Sequence, residues 1–101
     1  MIVYEVELTI DVQIAQEYRR WLDRHVRDML ALPGFTGAEL WERIDPPPPA
    51  ERVVLVAQYR LADRISFDRY LAEHAPRMRE EGLRRFGGRF EATRRLLAPV
   101  P

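Results

Sequence analysis

The stretch "RVVLVAQYRLA", residues 52–62, decides how this chain folds. Val53, Leu55, Ala57, Tyr59 and Leu61 fall on one face of an extended strand. Val54, Val56, Gln58 and Arg60 fall on the other. Alternation and β-branched residues together predict a strand. In an antiparallel sheet with one wetted face, that face should be polar. Here Val54 and Val56 make both faces apolar along most of the strand. The reading requires a cover on each side: this chain's own helices on one, and a second chain on the other.

Outward from this strand, the rest of the chain alternates between two periods. Residues 2–10 repeat every second position, with Ile2, Tyr4, Val6, Leu8 and Ile10 on one face and Val3, Glu5, Glu7 and Thr9 on the other. Asp11 is placed to cap the helix after it. Residues 12–31 switch to helical spacing: Ile14, Tyr18, Trp21, Leu22, His25, Val26 and Met29 form one stripe. "LPGF", 32–35, ends that helix, because proline cannot continue it and glycine supplies a turn. Residues 35–44 read as a second strand, and the four prolines of "DPPPPAE" as a surface connector. Asp63 or Ser66 caps a second helix running to about Phe86, with Phe67, Tyr70, Leu71, His74, Met78 and Gly82 on its apolar stripe. Gly87-Gly88 predicts a left-handed stop. Residues 89–97 form a last strand, before the tail "APVP".

The order is β-α-β-β-α-β, a ferredoxin-like α+β domain spanning 1–101: a four-stranded antiparallel sheet with two helices on one face. The uncovered face carries the valines of the third strand, with Glu5 and Glu7 expected to pair with Arg60 or Arg94. These features predict a homodimer closed sheet to sheet by two-fold symmetry. A chain of 101 residues supports this, since folding alone removes only roughly 60–65% of its surface from water.

Composition narrows the chemistry. The 16 basic and 16 acidic residues cancel, so no net charge draws the chain to nucleic acid or an anionic membrane. Residues 77–95 are locally basic, but acids are interleaved and no groove-reading motif appears. No apolar run reaches membrane-spanning length. The start of the chain lacks a basic segment and carries glutamates, so a cytoplasmic location is expected. There is no cysteine and no lysine, which removes thiolate and Schiff-base catalysis. The single serine, Ser66, has no Gly-x-Ser-x-Gly around it.

Any reaction must therefore use His, Asp, Glu, Tyr, Arg or a bound group. The only two histidines, His25 and His74, each lie on the apolar stripe of a helix, and both helices cover the same sheet face. Both imidazoles are expected to enter one space between helices and sheet, as candidate acid/base groups. Trp21 lies one turn before His25 and Met78 one turn after His74. Pro76 would bend or restart the helix, and Gly82 removes bulk. Tyr4, Tyr18 or Tyr59 would orient an oxygen, Trp21, Trp41 and Phe67 would wall the space, and Arg79 or Arg84 would hold an anion at its rim. Each feature also has a plain packing reading: a partly buried histidine with one partner, a helix restart, a close approach. A metal is not expected, because Asp28 and Glu73 lie toward solvent and no His-x-x-x-His or Glu-x-x-His spacing occurs.

The plan, "LPGF" and "LAEHAPRM" resemble the dimeric α+β barrel superfamily, which includes antibiotic-biosynthesis-type monooxygenases and stress-responsive barrel proteins. More closely, "MIVYEVELTID", "ALPGF", "QYRL", "YLAEHAPRMREEGLRRFGGRF" and "RRLL" resemble a small bacterial family known as a domain of unknown function. The resemblance implies the barrel dimer. It also implies a small apolar or aromatic ligand handled without a metal or prosthetic group, as relatives that oxidise or cyclise aromatic substrates often do. The alternative is a homodimeric interaction or structural module with no catalytic site.

Overall fold

The structure is a computed structural model describing residues 1–101. Four strands, β1 (Ile2–Asp11), β2 (Phe35–Glu42), β3 (Arg52–Leu61) and β4 (Phe90–Leu97), form one antiparallel sheet in the order β2-β3-β1-β4. The residues of "RVVLVAQYRL" thus take a central position, paired with β1 on one side and β2 on the other.

Three helices pack on one face, where two were expected. They are α1 (Ala15–Leu30), α2 (Arg64–Glu73) and α3 (Ala75–Phe86). Asp11 caps a short 3-10 turn, Val12–Ile14, by accepting from the Gln13 amide at 2.9 Å, and α1 begins only after it. Asp63, not Ser66, caps α2, accepting from the Ser66 amide at 2.8 Å. The predicted second helix breaks at His74, where φ is −127°. Pro76 is the physical cause: it has no amide proton for an i−4 carbonyl, so it sits in the first turn of a new helix. After α3 the left-handed residue is Gly88 (φ +86°) rather than Gly87.

The core lies between helices and sheet. Tyr4, Leu8 and Ile10 of β1 meet Leu55, Ala57, Tyr59 and Leu61 of β3, with Tyr18, Trp21, Leu22 and Met29 of α1 above them. Phe67, Tyr70, Met78 and Phe86 complete it from α2 and α3. Aromatic rings dominate: Tyr4 contacts Phe67 at 5.0 Å between centroids, and Phe35 meets Tyr70 edge-on at 5.2 Å.

The opposite sheet face is polar along its middle. Register aligns Glu39, Gln58, Glu5 and Arg95 in one row across all four strands. Gln58 donates to Glu5 at 2.8 Å and receives from the Trp41 indole at 3.1 Å. Glu5 pairs with Arg95, Glu7 with Arg43, and Arg60 with Glu39. The expected pairing of Glu5 or Glu7 with Arg60 or Arg94 is therefore corrected. In β4 the residue opposite Glu5 is Arg95, which places Arg94 opposite Val6 on the helix-covered side. Val54 is fully buried within the protomer. The Arg43–Glu7 pair joins the two flanks of β3 and so passes over this part of the face. Val56, Val3, Trp41 and Leu97 stay at least partly accessible.

Candidate functional site

Helical spacing sets one wall of a cavity under the helices. Tyr18, Trp21, Leu22 and His25 lie at i, i+3, i+4 and i+7 of α1 and all face it. β1 supplies Tyr4, Val6 and Leu8 as the floor, with Ala57 and Tyr59 from β3. α3 closes the other side with Arg79, Gly82 and Leu83, and Tyr70 comes from α2. Phe90 and Arg94 of β4 complete it. Leu83 and Arg94, both exposed, mark the mouth; Tyr4, Tyr18 and Tyr59 are buried at the base. There is room, about 50 Å³, for the centres of water-sized molecules. A single water needs roughly 10–15 Å³ on that measure, so the space as it stands holds a few waters, and a ring must widen it to enter.

Gly82 belongs to this wall for a specific reason. A Cβ there would lie 2.8 Å from Cη2 of Trp21. The missing side chain is filled by the indole, which approaches the helix backbone directly. Trp21 in turn stacks on His25, with centroids 4.6 Å apart and planes at 19°. The rim above is joined by Arg24 and Glu81, 2.7 Å apart, linking α1 to α3.

Burial holds the His25 pKa below its ordinary value; the Asp28 and Glu81 charges offset part of this, and Arg24 and Arg94 add to it. The imidazole is neutral near pH 7 and has a free lone pair. Burial pushes the Tyr18 and Tyr59 hydroxyls up and holds Tyr70 at about 12, so all three stay protonated donors. Arg79 donates to the Tyr4 hydroxyl at 3.1 Å.

Of the expected site residues, His25, Trp21, Tyr18, Tyr59 and Arg79 line this cavity together. His74, Phe67 and Met78 do not. His74 sits at the α2–α3 junction, where its Nδ1 lies 2.8 Å from an Arg77 nitrogen. The two imidazoles do not share one space, because the break at His74 ends the helical phase that would have brought them together. Phe67 and Met78 are core. Trp41, expected as a wall, lies on the open face beside Val56 and is 57% exposed. Sequence reasoning missed Tyr70 and Arg94 as cavity residues. Both were legible: Tyr70 in the α2 stripe, and Arg94 on the period-two face it shares with Phe90, Ala92 and Leu96.

The cavity wall holds one histidine and no carboxylate, so by itself it offers no multidentate metal set.

Residues 1–100 match the family described as a domain of unknown function, DUF4286. The chain belongs to this family. DUF4286 carries no assigned reaction in that description, and no curated protein matches the chain. Among solved structures, the DUF4286 chain is similar to an antibiotic biosynthesis monooxygenase at 17% identity and TM-score 0.71, covering 100% of both chains. It is also similar to a mutant of SnoaB, a cofactor-independent oxygenase from Streptomyces nogalater. That match has 19% identity and TM-score 0.66, covering 99% of this chain and 94% of that one. A de novo designed protein, Foldit4, matches at 14% identity and TM-score 0.67, covering 98% of each chain. These likenesses show a shared ferredoxin-like fold. A fold shared by monooxygenases and a designed protein does not by itself specify an activity.

Proposed function

We propose that this DUF4286 protein binds and transforms a small, flat, apolar or aromatic molecule in the cavity between α1, α3 and the sheet. His25 accepts a proton there from an acidic C–H or phenolic O–H. The observation that carries this is a neutral imidazole, without a hydrogen-bond partner, stacked on Trp21 in an aromatic-walled space. Protonated tyrosines beside it are donors suited to a developing oxyanion. The likeness to a cofactor-independent oxygenase adds support at the level of fold. In this reading His74 belongs to the α2–α3 junction and takes no part in the chemistry.

The working unit is a homodimer built through the open sheet face, the arrangement the barrel fold supports. A homodimeric module with no chemistry is the second reading. It is favoured by the accessible apolar residues Val56, Trp41 and Leu97 around a pre-formed polar row.

Native mass spectrometry and then denaturation tests both. A dimer whose extra mass leaves on denaturation supports the ligand reading, and the mass begins to name the ligand. With that ligand in hand, His25→Gln should abolish turnover yet retain the mass, while His74→Gln should leave both turnover and mass as they were. Turnover that survives His25→Gln removes the histidine's role.

A further inference from the structure

Nine of the sixteen arginines have a carboxylate partner within ion-pair distance. Arg79 is not among them. Its Nε is buried with no hydrogen-bond partner, the one such side-chain atom in the protein. Its side-chain hydrogen bonds go to the hydroxyls of Tyr4 and Tyr70, both neutral acceptors. Arg94, at the mouth of the same cavity, also lacks an acidic partner, and no Asp or Glu lines the wall. The cavity lining thus carries two guanidinium groups and no carboxylate, and Glu81 at the rim is paired with Arg24. Buried cations are ordinarily paired, since a charge taken from water needs a counter-charge and filled hydrogen bonds. Here no carboxylate of the chain pairs with Arg79, whose side chain lines the aromatic cavity.

We propose that the ligand carries a single planar anionic oxygen group, a carboxylate on an aromatic body, which seats against Arg79 while the ring lies among Trp21, Tyr18 and Tyr59. This rests on the ligand reading above and names its chemical class. Guanidinium and carboxylate match as planar two-pronged partners. A phosphate fits less well: it would bring more negative charge than the one partly buried guanidinium balances. Arg94 at the mouth attracts the anion on entry.

The test uses benzoate and its neutral isostere benzamide at neutral pH, with the protein labelled for indole N–H detection. The chain has 2 tryptophans. Trp21 lines the cavity and Trp41 lies on the open face, so Trp41 serves as an internal control. Benzoate should shift the Trp21 signal and leave Trp41 in place. It should bind at least about tenfold more tightly than benzamide, the effect of one charge-assisted hydrogen bond. In Arg79→Gln the two probes should bind alike, with benzamide unchanged; Arg79→Lys should keep part of the preference. Equal binding of both probes to the unsubstituted protein overturns the anion site and leaves the apolar cavity standing. A benzoate preference that survives Arg79→Gln overturns the assignment to Arg79. Failure of both probes to move Trp21 overturns both the anion site and the ligand reading. The comparison of probes on the unsubstituted protein needs no variant to fold.

Discussion

At the scale of single residues, His25 and Gly82 answer opposite questions about one indole. His25 stacks on its face, and Gly82 lets its edge reach the helix backbone. Gly82→Ala gains helix propensity worth about 1 kcal/mol. It also drives a methyl into a ring that is only 6% exposed and has little room to retreat. Overpacking of that kind costs roughly 1–3 kcal/mol, so a net loss of about 1 kcal/mol is expected in urea unfolding. His25 makes stability depend on pH. Its folded pKa lies below the ordinary 6.5, so the unfolded chain takes up the proton first. The stabilising share is whole above that ordinary value and is lost as pH falls through the folded one. Unfolding measured between about pH 5 and 7 should therefore show stability dropping toward the acid side. His25→Gln should flatten that slope. Asp11, Asp63 and Glu81 are held below their ordinary values by hydrogen bonds, and Glu5 by bonds from Gln58 and Arg95 that outweigh its burial. Their losses fall lower on the pH scale and are separable.

At the scale of elements, the α1–β2 turn is held by a glycine the sequence signalled clearly. Gly34 has φ +86°, and a Cβ there would lie 2.4 Å from the Ser66 Cβ in the first turn of α2. Its carbonyl accepts from Ala62 at 2.9 Å. Gly34→Ala meets both strain and collision, and should lower stability by about 2 kcal/mol or more, read as a fall in the urea midpoint. Such punctuation was legible from "LPGF", as were the period-two faces of β1 and β3, because apolar residues there repeat without a gap. The last strand carried the same signal with one interruption: Arg94 stands on the face of Phe90, Ala92 and Leu96, and Arg95 on that of Thr93 and Leu97. Pairing with β1 agrees with that phase, with Arg94 under the helices and Arg95 at Glu5. His74 failed for a different reason: a helical stripe can be projected only while the helix runs unbroken, and Pro76 stops it. Trp21, Tyr18, His25 and Arg79 each sit within one uninterrupted helix, and there the projection worked.

At the scale of the molecule, the open sheet face is where a second copy would lie. Burial of Val54 inside the protomer shifts the weight of that contact to Val56 and Trp41. A charge placed in a closing interface without a partner costs several kcal/mol. Val56→Asp should therefore turn the dimer into monomer, measured by sedimentation at micromolar protein, with far-ultraviolet circular dichroism unchanged. A dimer that persists would move the interface elsewhere on the surface.

The break at His74 reaches beyond folding. It leaves two short helices where one long one would run, and each of them both anchors and lines the cavity. Phe67 and Tyr70 of α2 and Met78 and Phe86 of α3 are core, while Tyr70, Arg79, Gly82 and Leu83 line the cavity. The angle at this joint therefore sets the packing of the core and the shape of the cavity together, and neither can be altered there without the other.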